Sequence, residues 1–196
     1  MKIEDVIPRN QNVLVEIEKL KEVIDGVYVG NQNAVETDAQ PTQFYVGKVH
    51  KFGPDAPDDS QCPEIEEGKY AIFSQWSGQV MPTEDGYTKV IPGFNIVAFT
   101  KSLDMKIEDL DPTNDRILVE IIQDNKVKDG VYNNADDDPR QSVTQRGRVI
   151  SCASNADQYE VGAIVFFEPT AGNLIVNRVD QQLKTLNSKS ILCEIK

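Results

Sequence analysis

The chain has 196 residues and a formal net charge of −12, from 32 acidic and 20 basic residues. So acidic a composition, with no basic run, argues against a nucleic-acid backbone or an anionic membrane as partner. Three scattered cysteines, Cys62, Cys152 and Cys193, form no C-x-x-C pair. They suit a reducing compartment better than a disulfide framework, and their spacing supports neither a zinc nor an iron–sulfur site.

The chain repeats itself. Met1-Lys2-Ile3-Glu4-Asp5 returns as Met105-Lys106-Ile107-Glu108-Asp109, Leu14-Val15-Glu16-Ile17 as Leu118-Val119-Glu120-Ile121, and Asp25-Gly26-Val27-Tyr28 as Asp129-Gly130-Val131-Tyr132. A constant offset of 104 over this stretch indicates two copies of one folding unit, as duplication of a small gene would leave. The expected division is a module at 1–101, a short join at 102–104 and a module at 105–196. Residues 1–104 carry 17 acids and 9 bases, the remainder 15 and 11. So short a join places the modules side by side or closely stacked.

In chain order the apolar pattern has period two. Val13, Val15 and Ile17 share one strand face, and Ile117, Val119 and Ile121 repeat it. Further strands are expected at Tyr45–Phe52, Tyr70–Ser74, Tyr87–Ile91 and Asn95–Phe99, with counterparts at Arg146–Cys152, Ala163–Phe167, Leu174–Val179 and Ser190–Ile195. No segment longer than about ten residues has helical periodicity. Short strands at regular spacing predict an all-β barrel or sandwich in each half.

Two stretches interrupt this pattern. Glu18 to Gln43, and its partner Gln123 to Gln145, are long and polar, and loops of such length in small domains are usually functional or disordered. Gly53 to Gly68 is rich in proline and acid, while its counterpart Ala153 to Gly162 is short.

Little in the chain suggests catalysis. His50 is the only histidine, and its alternation with Val49 reads as an ordinary strand position. Asp136-Asp137-Asp138 lacks the alternating oxygens and terminal glutamate of a calcium loop and reads as a solvated acidic loop. There is no glycine-rich phosphate loop and no dinucleotide fingerprint. Trp76, the lone tryptophan, is expected to be a packing residue. The reading is a non-enzyme with no catalytic residue, no metal and no cofactor of its own.

The apolar islands Gly26-Val27-Tyr28-Val29 and Gly130-Val131-Tyr132 are more informative, because each sits inside polar sequence. Each either folds back as a short strand on its own domain or docks into a partner's apolar groove. Weak single contacts of the second kind gain strength when several are presented together.

Taken in order, these residues resemble the GroES-type co-chaperonins, the chaperonin-10 family. The family's opening pattern of proline, acid, base and apolar triplet is similar to Pro112-Thr113-Asn114-Asp115-Arg116-Ile117-Leu118-Val119-Glu120. Its mobile loop, with a glycine pair and three apolar residues, is similar to Asp25-Gly26-Val27-Tyr28-Val29 and Asp129-Gly130-Val131-Tyr132-Asn133. Its Gly-Val strand opening resembles Gly47-Lys48-Val49 and Gly147-Arg148-Val149, and its Val-Gly-x-Ile-Val-x-Phe signature resembles Val161 to Phe167. The departures are Gln11-Asn12 in place of an acid and a base, Asp25 and Asp129 in place of the first glycine, and Asn133 as the third triplet residue. The first module is therefore expected to be the stronger binder.

The resemblance implies two tandem GroES-like, partly open β-barrels, each with a long mobile loop. It implies a homo-oligomeric ring that caps a GroEL-type chaperonin in its nucleotide-bound state, with ATP bound and hydrolysed by the partner. The chaperonin-binding residues would be Gly26, Val27, Tyr28 and Val29, with Gly130, Val131 and Tyr132. Gly53 to Gly68 resembles the family's roof hairpin, and its truncation in the second half resembles some bacteriophage co-chaperonins. With no signal-peptide or transit-peptide character at Met1-Lys2-Ile3-Glu4-Asp5, the expected setting is the cytoplasm of a bacterium or phage-infected host rather than a plastid stroma. The rivals are a structural ring adaptor with the same barrel and no chaperonin partner, and a dehydrogenase-type GroES-like domain, which would need a nucleotide-binding domain this chain lacks.

Overall fold

The computed structural model describes residues 1–17, 23–24, 27–28, 44–58, 60–84, 87–102, 106–122, 127–128, 131–132, 144–177 and 181–195. Among them there is no α-helix, only strands and short 3-10 turns. The first half contributes β1 (Asn12–Ile17), β2 (Val23–Ile24), β3 (Val27–Tyr28), β4 (Phe44–Phe52), β5 (Tyr70–Ser74), β6 (Gln79–Pro82), β7 (Tyr87–Pro92) and β8 (Ile96–Thr100). The second contributes β9 (Asp111–Pro112), β10 (Arg116–Ile121), β11 (Val127–Lys128), β12 (Val131–Tyr132), β13 (Gln145–Cys152), β14 (Ile164–Phe167), β15 (Asn173–Asn177), β16 (Gln182–Asn187) and β17 (Ile191–Ile195).

These make two antiparallel sheets of matching order. One runs β6-β7-β1-β4-β5-β8-β9 and the other β15-β16-β10-β13-β14-β17. The repeat extends to register: Val13 faces Phe52 and Ile91, while Ile117 faces Cys152 and Leu186. It extends to irregularities too, since a bulge at Leu14/Val15 returns at Leu118/Val119 and one at Ile72/Phe73 returns at Phe166/Phe167. Bulges bend strands and strengthen their twist, so these matched bulges bend the central strands of both halves alike, whereas the bulge at Leu174/Val176 between β15 and β16 has no counterpart between β6 and β7.

Alternation explains the cores. Val13, Val15 and Ile17 pack with Val49, Phe73, Ile91 and Phe99 in the first, and Ile117 and Val119 pack with Val149, Val165, Phe167 and Leu186 in the second. The opposite strand face is also covered, because Leu14 packs on Ile3 and Val6 from the chain start.

Three sequence expectations need correction. The apolar pattern matches Leu174–Val179 to Tyr87–Ile91, yet the counterpart of β7 is β16, since each pairs with the first long strand of its half. Leu174 to Asn177 instead lie in β15, the counterpart of edge strand β6, and Arg178 and Val179 lie outside the described residues. Lys184 matches Lys89 of β7, but Thr185 stands where β7 has Val90, so β16 offers a weaker apolar pattern. Trp76 is not a packing residue: it is 77% exposed, at the turn between β5 and β6. The described residues of 53–68 are a run of turns rather than a strand hairpin. Pro54, Pro57 and Pro63 have no N–H to give a ladder, and Ala56, Cys62 and Ile65 fold down into the first core.

The turns after β5 and β14 use the same device. Gly78 and Gly172 have φ of +69° and +71°, and a Cβ at either would run into a backbone carbonyl, that of Val90 or Thr185. Only glycine fits both demands.

Candidate functional site: the paired arms and the seam between modules

Each island lies in an arm that leaves the sheet between its first two long strands, after β1 and before β4 in one half, after β10 and before β13 in the other. The described residues of each arm form a two-stranded ladder of their own. Val23 pairs with Tyr28 and Ile24 with Val27; Val127 pairs with Tyr132 and Lys128 with Val131. These ladders are separate from both main sheets. The islands therefore pair within their arms rather than as added strands of their own domains' sheets. Gly26, Val29, Gly130 and the Asp136–Asp138 run lie outside the described residues.

The hairpins carry a sequence signal that motif matching passes over. Two residues separate the paired strands in each arm, and in both they are Asp-Gly. That dipeptide between short apolar runs is among the strongest short-range hairpin signals.

The end of β4 that receives the first arm also holds the Trp76 turn, because Phe44 pairs with Ser74. Buried Lys89 braces this turn from below. Its Nζ donates to the carbonyls of Gln75 (2.5 Å) and Ser77 (3.0 Å), on either side of Trp76, and lies over the rings of Tyr45 and Phe73. Lys184 does the same in the second half, donating to the carbonyls of Pro169 (2.6 Å) and Ala171 (3.2 Å) over the Phe167 ring. Burial pulls both ammonium groups below the usual lysine range. Both lysines donate to main-chain carbonyls of the turn, Lys184 also to Gln145 Oε1 at 3.2 Å, and so serve as turn braces.

The two modules are joined by a continuous seam. β9, from the second half, adds to the first half's sheet by pairing Pro112 with Ala98 and Asp111 with Phe99. Behind it Phe44, Val46, Ile72 and Val97 pack against Leu110, Leu118, Val176 and Leu183. Burying such a side chain is worth about 1.5–3 kcal/mol, against about 0.5–1.5 kcal/mol net for a hydrogen bond. Apolar burial therefore holds the seam, and hydrogen bonds fix its register.

Those bonds come from the Pro112–Arg116 signature. Thr113 Oγ1 donates to the Ile96 carbonyl at 2.6 Å, and Arg116 Nη2 donates to the Phe94 carbonyl at 3.1 Å. Asp115 turns the other way and accepts both contacts from Asn187 Nδ2, at 2.9 and 2.8 Å. Burial lowers the Arg116 pKa and neighbouring Asp115 opposes that shift. From the 53–68 segment, Glu64 reaches across the seam: Ser154 Oγ donates to its Oε1 at 2.7 Å and the Asn114 N–H to its Oε2 at 3.2 Å. The Asn114 side-chain amide donates to the Gln61 carbonyl. The sequence motif was legible as a strand opening; its use as a seam was not.

Among the described residues, no three of His, Cys, Asp and Glu gather as a metal site. His50 is a half-buried residue of β4. Cys62 is a buried free thiol whose pKa burial, reinforced by Glu64, pushes up to about 12. Among the described residues, no helix is long and apolar enough to cross a membrane. No family model matches the chain, and no curated protein matches its sequence.

Proposed function

We propose that the chain is a tandem co-chaperonin: two GroES-like, partly open barrels whose arms cap a GroEL-type chaperonin in its nucleotide-bound state. The observation that carries this reading is the pair of arm hairpins, each set apart from its main sheet and each ending in Val-Tyr, on two modules fixed by one apolar seam. Val27 and Tyr28, with Val29 following, insert between apical helices of the partner, and Val131 and Tyr132 do the same in the second module. Gly26 and Gly130 belong to the same proposed chaperonin-binding segments. Because the seam fixes the modules relative to each other, the second arm meets its groove at a high effective concentration once the first is bound. Several copies associate as a ring, ATP chemistry belongs to the partner, and the setting is cytoplasmic, in a bacterium or phage-infected cell.

Hydrogen exchange tests this reading. Adding a GroEL-type chaperonin with nucleotide should protect the amides of Val23 to Tyr28 and Val127 to Tyr132 together, while either component alone should not. Unchanged exchange in both hairpins, with the main sheets intact, would instead favour a ring adaptor that uses the same fold without a chaperonin.

A further inference from the structure

Between the modules the seam holds an open cleft of about 300 Å³ that both of them line. Ser60 and Phe94 come from the first module, and Asn114, Asp115, Arg116 and Asn155 from the second. Pockets that take small molecules run from about 300 to 1,000 Å³, so this one suits a small ligand.

Asn114 marks what that ligand must supply. The residue is 8% exposed, and its side-chain Nδ2 donates to the Gln61 carbonyl. This bond fixes the amide's orientation, because exchanging its two ends would set oxygen against oxygen. Its Oδ1 is buried and, among the described residues, accepts no hydrogen bond, and the same holds for Gln61 Oε1. A buried acceptor left without a donor is costly, so these oxygens call for a donor from outside the chain.

The charges around them select its kind. Arg116 is turned to groups of the protein, donating to the Phe94 carbonyl at 3.1 Å and to Thr113 Oγ1 at 3.3 Å. The Asn114 N–H is given to Glu64 Oε2. The carboxylates of Asp115 and Glu64 outnumber the one guanidinium, so an anion would meet net repulsion. A cation with N–H groups would meet open oxygens, net negative charge and the aromatic side chain of Phe94, which is 43% exposed.

We infer that this cleft binds a small alkylammonium ion, which ties the two modules together at the seam. The ammonium donates to Asn114 Oδ1, and the alkyl end lies along Phe94. Because the ion touches both modules, it binds the closed seam and not the open one, and so holds the seam shut by mass action. Such binding needs the seam and no chaperonin.

The cleft's chemistry is not repeated with the fold. The 3-10 turn that carries Phe94, Gly93–Asn95, returns in the second module as Ser188–Ser190, with Lys189 in the middle. Asp115 and Arg116 correspond to Gln11 and Asn12 in the first module.

Hydrogen exchange of the native chain tests this, with n-butylammonium chloride as the probe and tetramethylammonium and sodium chloride as controls at equal ionic strength. The amides to follow are those of Thr113 and Asn114, which donate across the seam to Val97 and Glu64. Butylammonium at about ten times its Kd should slow their exchange roughly tenfold. Tetramethylammonium, a cation without N–H, should leave it unchanged. Phe94→Lys should abolish the response by placing a positive charge in the cleft. Lysine occupies the matching turn position in the second module, and the Phe94 carbonyl that receives Arg116 is main chain, so this variant keeps that bond. Should it misfold, the contrast between the two ammonium salts on the native chain decides alone. Saturable slowing by butylammonium only, lost in Phe94→Lys, is the expected result. No saturable slowing would mean that water alone serves Asn114 and Gln61, and would overturn the inference. So would equal slowing by tetramethylammonium or sodium, or an undiminished response in Phe94→Lys.

Discussion

Glu64 and Ser154 lie 90 residues apart in sequence and meet at 2.7 Å, where a carboxylate from one module accepts from a hydroxyl of the other. The same carboxylate accepts the Asn114 N–H, so one side chain ties the 53–68 segment to two points across the seam. Glu64→Ala should destabilise the chain by about 1–3 kcal/mol, since it leaves a partly buried N–H without an acceptor. Glu64→Gln, which keeps one acceptor oxygen, should cost less. Denaturant midpoints check both, and hydrogen exchange should place the loss at β9 and the turn after it.

Lys89 and Lys184 offer a second test. Each places its ammonium on carbonyls of the neighbouring turn, a charge-assisted arrangement worth about 1.5–3 kcal/mol. Lys89→Met should free the turn that carries Trp76, lowering the fluorescence anisotropy of this single tryptophan. Lys184→Met should destabilise the second module and leave Trp76 anisotropy unchanged. An equal fall in both variants would contradict the local bracing described here.

Cys62 gives a pH dependence of definite sign. Its pKa is raised from 9.0 to about 12 in the fold, chiefly by burial. The folded state keeps the proton where the unfolded state has lost it, so this contribution is complete below pH 9 and declines as pH rises from 9 toward 12. The slope approaches about 1.4 kcal/mol per pH unit at most, the value of one pKa unit. Cys62→Ala should flatten stability against pH in that window. In the native chain at about pH 8, below the ordinary thiol range, a maleimide should modify exposed Cys193 well before Cys62.

Much of the fold was legible because the repeat and the period-two pattern report the same thing twice. Val13, Val15 and Ile17 read as a core face and form one, and Tyr70–Ser74 coincides with β5. What a local pattern does not reveal is polar or very short. β16 has Thr185 where β7 has Val90, and β9 is two residues beginning at an exposed aspartate, formed because β8 offers an edge. Composition assigns a tryptophan to the core, whereas a buried lysine below its turn fixes Trp76 facing water. For the arms, motif reading finds Val27, Tyr28, Val131 and Tyr132 but passes over Asp25-Gly26 and Asp129-Gly130 as hairpin signals. The seam depends on contacts between residues such as Glu64 and Ser154 that no local pattern pairs.

Trp76 is also a reporter for the proposed docking, since its turn adjoins the strand end that receives the first arm. Its emission should be that of an exposed indole in the free chain and should shift to shorter wavelength when chaperonin and nucleotide are added together. The shift should be absent with nucleotide alone.

The most direct test of the central claim is co-sedimentation with a GroEL-type chaperonin, with and without nucleotide, of the native chain and of Val27→Asp combined with Tyr28→Asp. The native chain should sediment with the chaperonin only when nucleotide is present. The doubly substituted chain should keep its own oligomeric mass yet lose that binding by at least roughly tenfold, since two charges in an apolar groove cost several kcal/mol. Undiminished, nucleotide-dependent co-sedimentation of the substituted chain would contradict the assignment of these tips as the grip.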